Sequence, residues 1–228
     1  MCSIGDSDIN ALMDEIKPMY DGADPAHDFS HMLRVYSNAK WIGERECADM
    51  AVLLPAALLH DAGSGTKIEE KSAAPTETKA ARDLLKEKGI PDDTIDQIIY
   101  AIEVHRFSKG TTPKTLEAKI LQDADRLDAL GAIGIARVFM TGGALGRALY
   151  DLSDPFCAAR DPDDKKWNLD HFYRKLLNLK SGMHTDAARR LAGRRNAVLE
   201  RYLTDLKEEL EGIDIQIIEG IGSEKDLR

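Results

Sequence analysis

The chain has 228 residues, 43% hydrophobic and 31% charged, the balance of a globular protein with one domain or one domain and a small appendage. Its formal net charge of −9, from 31 basic and 40 acidic residues, argues against a broad nucleic-acid-binding surface, which needs a basic face. The charge still permits a small anionic substrate, because a bound metal ion inverts the local field.

The N-terminal stretch MCSIGDSDINALMDE lacks the basic and apolar regions of a signal peptide. No run approaches 18 continuous apolar residues, so no membrane span is expected. The three cysteines, Cys2, Cys47 and Cys157, are odd in number and scattered. They fit a reducing compartment and argue against a disulfide framework, so a cytoplasmic location is expected.

Helical periodicity dominates the chain. Ile9, Leu12, Met13, Ile16, Met19 and Tyr20 follow the i, i+3, i+4, i+7 spacing of a first helix, with Asp6 or Ser7 as its cap. A second helix is predicted from Asp28 to Glu44 and a third from Asp49 to Asp61, bent at Pro55. Ser72–Lys88 reads as a fourth, stopped by Gly89, and Asp92–His105 as a fifth. Thr115–Met140 is apolar enough for one or two buried helices. Thr141–Asn168, rich in Gly, Asp and Pro, reads as an irregular excursion or lid, with Gly142–Gly143 as a turn. Helices follow over Asp170–Lys180 and Thr185–Glu211, and the β-branched IDIQIIEGI reads as a short strand or ordered tail. The fold class is all-α.

Three of these helices carry polar groups into apolar surroundings. PAALLHDAG places His60 and Asp61 after four apolar residues, HDFSHMLRV offers His27, Asp28, His31 and Arg34, and QDADRLDALGAIGIAR carries Asp123, Asp125 and Asp128. Burying such groups without partners costs roughly 2–7 kcal/mol each, and more for a charge. One metal ion answers the cost for all three, neutralising carboxylates and filling imidazole lone pairs. On the long helix Asp123 and Asp125 point about 160° apart, so only one of them reaches the same site. Arg126, at i+3 from Asp123, is placed to orient that carboxylate or to touch a substrate anion. Asp28, at i−3 from His31, is placed to hold that ring in one tautomer. Asp125 and Asp128 read as salt-bridge or capping groups, and His171 and His184 as structural.

The order His…His-Asp…Asp resembles the HD-domain metal-dependent phosphohydrolase superfamily, and within it a YedJ-like stand-alone branch. The resemblance rests on HDFSHMLRV, AALLHDAG, EVHRF, LQDADRLDALGAIGIAR and the C-terminal HFYRKLLNL segment, and spans roughly residues 5–205. It implies an HD-domain helical bundle over residues 1–140, with residues 141–228 forming a lid segment and a helical C-terminal extension packed on that core. It implies His31, His60, Asp61 and Asp123 as the metal ligands, with His27 beside them as a structural residue.

The implied reaction is hydrolysis of a phosphate ester or anhydride in a small phosphorylated substrate, commonly a nucleotide. Two imidazoles and two carboxylates suit one octahedral divalent ion, Mn²⁺ foremost, or Co²⁺, Fe²⁺, Ni²⁺ or Mg²⁺. Asp61 would ligate with one oxygen and take a proton with the other, and His105 and Arg126 are further catalytic candidates. Arg34, Lys67 and Arg106 are candidates for the substrate phosphate, with Lys109 a further cation, and Glu69 or Glu70 is a candidate acid. Duplex nucleic acid is not expected as a substrate, and a homodimer is left open. A non-catalytic metal- or nucleotide-binding sensor and a di-iron oxygenase are the alternative readings. The oxygenase needs extra histidines, and the chain between Asp61 and Asp123 supplies only His105.

Overall fold

A computed structural model describes residues 6–20, 28–62, 74–106 and 111–218. These are built almost wholly of helices and turns; the β-type pairing among them is an isolated parallel bridge between Ala148 and Trp167. His27, Lys67, Glu69, Glu70 and Lys109 lie outside the described residues.

The helices are α1 (Asp6–Ile16), α2 (Phe29–Glu46), α3 (Met50–Leu59), α4 (Ala74–Glu87) and α5 (Asp92–Val104). They continue with α6 (Leu116–Asp128), α7 (Gly131–Ala144), α8 (Asp170–Arg174), α9 (Asp186–Glu211) and α10 (Ile213–Ile218). Short oxygen-bearing side chains start four of them. Asp28, Asp49, Thr115 and Thr185 each accept a hydrogen bond from a backbone N–H of the first turn of α2, α3, α6 and α9. Such caps satisfy donors that a helix start otherwise leaves open.

Helix α3 is apolar on every side, and Val52 to Leu59 are all buried. A helix of that kind belongs at the centre of a bundle, and α1, α2, α5 and α6 pack around it. It runs through Pro55 without ending. Tyr20, in the 3₁₀ turn Lys17–Tyr20 after α1, donates its hydroxyl to Leu58 O at 2.8 Å and so fixes the first segment onto α3.

The apolar stretch 115–140 forms two helices rather than one. The break falls at Leu130 and Gly131, where Leu130 is extended, Gly131 has φ 70° and the axes turn by 68°. Only glycine adopts that left-handed conformation without steric cost. The 26-residue α9 packs on α2, α6 and α7.

Three local expectations are corrected. Gly142 and Gly143 are not a turn but lie inside α7, where a Cβ on Gly142 would fall 1.6 Å from Asn168 Oδ1. The helix expected over Asp170–Lys180 shortens to α8 followed by the 3₁₀ segment Leu176–Gly182. Ile213–Ile218 is helical, not a strand: Gly212 ends α9 at φ 68°, and no neighbouring strand among the described residues offers a pairing edge. Sheet propensity in a β-branched run has no effect without a partner.

The irregular segment after α7 is internally tied. Arg160 donates to both oxygens of the buried Asp170 carboxylate, and its guanidinium lies 4.5 Å from the Trp167 ring. Asp154 accepts from the backbone N–H groups of Ala158 and Ala159.

Replacing Gly142 by Ala is expected to lower stability by about 1–3 kcal/mol, the usual cost of overpacking. Urea unfolding measures it. In the Asn168→Ala background the same change should cost much less, because the colliding group is gone.

Candidate metal centre

Two imidazoles reach the centre from helix ends. His60 follows the last residue of α3 and His105 the last residue of α5. Each turns Nδ1 back to the carbonyl three residues earlier: His60 to Ala57 O at 2.8 Å, and His105 to Ile102 O. A carbonyl oxygen only accepts, so Nδ1 donates in each ring and Nε2 is left facing inward. Burial pushes the His60 imidazole down to about 4, with the Asp61 charge opposing and His105 adding to the shift. The ring is therefore neutral near pH 7, the form that binds a metal. Its Nε2 is buried and has no hydrogen-bond partner.

His31 comes from the first turn of α2 and is fully buried. Its Nδ1 lies 2.7 Å from Asp128 Oδ2, and its Nε2 lies 3.5 Å from Asp125 Oδ1 and 3.8 Å from Asp61 Oδ2. Asp61 Oδ2 is also 3.7 Å from His60 Nε2. On the other side of the same carboxylate, Oδ1 is 3.6 Å from His105 Nε2 and accepts from Arg106 Nη2 at 3.1 Å. Ligand atoms of His31, His60 and Asp125 lie within 4.8 Å of one another, close enough to share one cation. The donor set of two imidazoles with carboxylates at that spacing, and the orphaned Nε2 of His60, fit a divalent ion.

The structure places the two aspartates of α6 in different surroundings. Asp123 and Asp125 do diverge, and Asp125 is the one beside His31. Asp123 is fully buried on the opposite side, where its carboxylate accepts from the backbone N–H groups of His184 and Thr185 and from the Thr185 hydroxyl. It anchors the start of α9. Arg126 follows it: the side chain is buried, donates to Gly182 O and lies 3.7 Å from Asp123 Oδ1. Neither residue is brought to the His–Asp cluster by these contacts. The signal available in the sequence was the i, i+3 spacing of Asp125 and Asp128, which puts both on one face, opposite the one that Asp123 shares with Leu127.

The tautomer partner of His31 is likewise not Asp28. Asp28 accepts from the backbone N–H of His31 at 2.8 Å as a helix cap. The ring is oriented by Asp128, which also accepts from Arg34 Nε at 2.6 Å and Arg137 Nη1 at 2.7 Å. Burial alone would raise the Asp128 carboxyl, but the hydrogen bonds from His31 and Arg34 and the Arg137 charge hold it well below the usual carboxylate range. Arg34, expected to meet substrate, is thus engaged with Asp128 and with Ser30. Arg106 lies at the cluster, as His105 does.

Known proteins share this sequence pattern and fold. Residues 28–130 match the HD domain family. The chain is 35% identical over 194 residues to the uncharacterized protein YpgQ of Bacillus subtilis, covering 83% of this chain and 87% of that one. The chain is an HD-domain protein. The crystal structure of B. subtilis YpgQ in complex with ADP superposes with a TM-score of 0.71 at 34% identity, covering 90% of this chain and 96% of that one. An HD-superfamily hydrolase from Bacillus thuringiensis superposes at 0.72 with 33% identity, covering 90% and 97%. Among the described residues of this HD-domain chain no single helix is long and apolar enough to cross a membrane.

Substituting Asp125 by Ala is expected to strip divalent metal from protein reconstituted with Mn²⁺, whereas Asp123→Ala should retain it and lose about 1–3 kcal/mol of stability through the open N–H donors of residues 184 and 185. Elemental analysis and urea unfolding read the two effects separately. Asp128→Asn should weaken metal binding by about 10–100-fold, the usual cost of removing the group that orients a ligating histidine. A calorimetric titration with Mn²⁺ measures that change.

Proposed function

We infer that the chain is a metal-dependent phosphohydrolase that cleaves a phosphate ester or anhydride of a small phosphorylated metabolite, a nucleotide above others. The observation that carries this reading is the placing of Asp61. One of its oxygens faces the His31 and His60 nitrogens, and the other faces His105 and Arg106. A carboxylate so placed binds a cation on one side and handles a proton on the other. The ADP complex of the relative YpgQ supports a nucleotide as the ligand.

His31, His60, Asp61 and Asp125 would hold the ion. When bound, a divalent ion there supplies an acidified water and polarises a phosphoryl oxygen. The remaining steps belong to the chain. Arg106, half-exposed beside Asp61, is positioned to stabilise charge on the phosphoryl oxygens as it develops. His105 holds Nε2 as an acceptor while its Nδ1 donates to Ile102 O; a proton taken at Nε2 makes it the donor that a leaving oxygen needs. Arg34, committed to Asp128, supports the site at one remove.

The same geometry favours one ion per chain over the paired irons of an oxygenase. A second cation sharing Asp61 would need its Oδ1, and the Arg106 guanidinium already lies 3.1 Å from that atom. Two positive groups on one oxygen repel strongly in a buried site.

The test is a panel of nucleoside mono-, di- and triphosphates offered to metal-reconstituted protein, with phosphate and pyrophosphate detected separately. Release is expected from at least one member, fastest with Mn²⁺ or Co²⁺ and slow with Zn²⁺, at one ion per chain. His60→Ala should abolish it, and His105→Ala should lower turnover at unchanged metal content. Tight nucleotide binding with no release from any member would replace this reading by that of a sensor.

A further inference from the structure

A second polar feature lies behind the His–Asp cluster. A cavity of about 270 Å³ opens between α7, the turn that follows it, α8 and the 3₁₀ segment after α8. Its polar lining is Arg137, Thr141, Arg147, Asp164, His171 and Lys175, and the other lining groups are small or apolar. Three cations against one carboxylate make the cavity positive in a chain whose net charge is −9.

The one carboxylate is already engaged. Asp164 Oδ2 lies 2.9 Å from His171 Nδ1, and its other oxygen is 3.5 Å from Arg174 Nε. Arg137 is held by Asp128 on its inner side. Arg147 and Lys175, by contrast, form no ion pair among the described residues. Their charges reach into the cavity. Burial lowers the His171 imidazole, Asp164 opposes the shift, and the Lys175 and Arg147 fields lower it further.

Clustered cations repel one another, and their approach around a common space is relieved by an anion between them. Two arginines, a lysine and a threonine hydroxyl are the donors that a tetrahedral oxyanion uses, arginine through paired N–H groups and lysine as a point charge. The volume is below the usual range of pockets for drug-sized ligands, so it suits a phosphate group better than a whole nucleoside.

The cavity is also joined to the metal centre by one side chain. Arg137 Nη1 lies 2.7 Å from Asp128 Oδ2 and 3.5 Å from His31 Nδ1. That is the side of the His31 ring opposite the Nε2 that faces Asp61 and Asp125. An anion in the cavity would therefore lie outside the reacting groups and compete with Asp128 for the Arg137 guanidinium.

We propose that this cavity is an oxyanion site for one or two phosphate groups, separate from the His–Asp cluster and linked to it through Arg137. The phosphates are those of free inorganic phosphate or pyrophosphate, or the distal groups of a nucleotide. Through Arg137, occupancy here and metal affinity at His31 change each other by the same factor, as linkage requires. The proposal goes beyond the hydrolase reading and stands without it.

The test uses the full chain, metal-free in chelator, titrated with inorganic pyrophosphate and followed by calorimetry and by the NMR signals of the His171 ring. Saturable binding that shifts the His171 signals is expected, weakened tenfold or more by Lys175→Ala and by Arg147→Ala at unchanged circular dichroism and urea midpoint. His60→Ala should bind as the unaltered chain does, since its ring is on the other side of the cluster. Binding that survives both cavity substitutions, or that vanishes with His60→Ala, overturns the proposal, as does the absence of binding. Titration with a nucleoside triphosphate and a monophosphate identifies the source. If the triphosphate moves the His171 signals and loses tenfold in the same variants while the monophosphate does not move them, the groups belong to a nucleotide; if only the inorganic anions move them, the site takes free phosphate. Because no turnover or metal is read, a failed hydrolase assay and a failed titration are told apart.

Discussion

One carboxylate holds the centre of this molecule together. Asp128 is buried at the end of α6 and accepts from His31 and Arg34 of α2 and from Arg137 of α7. Removing such a group from water costs several kcal/mol, and that cost is offset only where every lone pair meets a donor in good geometry. Here the donors come from two neighbouring helices, so satisfying the charge also fixes how α2, α6 and α7 meet. The orientation of the His31 ring is a by-product of the same balance, as is the place of Arg137 between the cluster and the cavity behind it.

Helix ends supply the rest of the field. Helices α3 and α5 both finish at the cluster, and a histidine caps the C-terminus of each. The carbonyl end of a helix carries a partial negative charge, roughly half an elementary charge, and favours a cation. The two C-termini therefore act in the same sense as Asp61 and Asp125. The sequence also brings a guanidinium, Arg106, to the edge of this negative region. The result is a site with a cation-binding side and an anion-facing side on one aspartate.

Much of this was legible in the residues. The helical periodicity, the apolar run of α3 and the helix starts at Asp49 and Thr185 are local signals, and local signals survive folding. His60 and Asp61 stood out because an apolar helix end is an expensive place for them. What the residues left open was phase. Asp123 and Asp125 were known to diverge, but which of them meets His31 depends on how α6 is rotated against α2 and α9, and that is decided by packing. Asp28 and Asp128 raise the same difficulty at longer range: a neighbour three residues away competes with one ninety-seven residues away, and the helix cap claims the near one. The cationic cavity was invisible for that reason too, since Arg137, Arg147 and Lys175 converge only once α7 and the segment before α8 have folded back.

The bend at Gly131 has a consequence for how this chain tolerates change. In one straight helix, residues 128 and 137 would stand about 13 Å apart along the axis, at 1.5 Å per residue. The 68° turn brings them into an ion pair instead. That closure counts residues on both sides. Inserting or deleting one residue between 131 and 137 rotates the Arg137 side chain by about 100° around α7 and carries it away from Asp128. Substitutions along this connection can be absorbed one at a time, but its length cannot drift. The connection acts as a ruler whose graduations end on the carboxylate that holds His31.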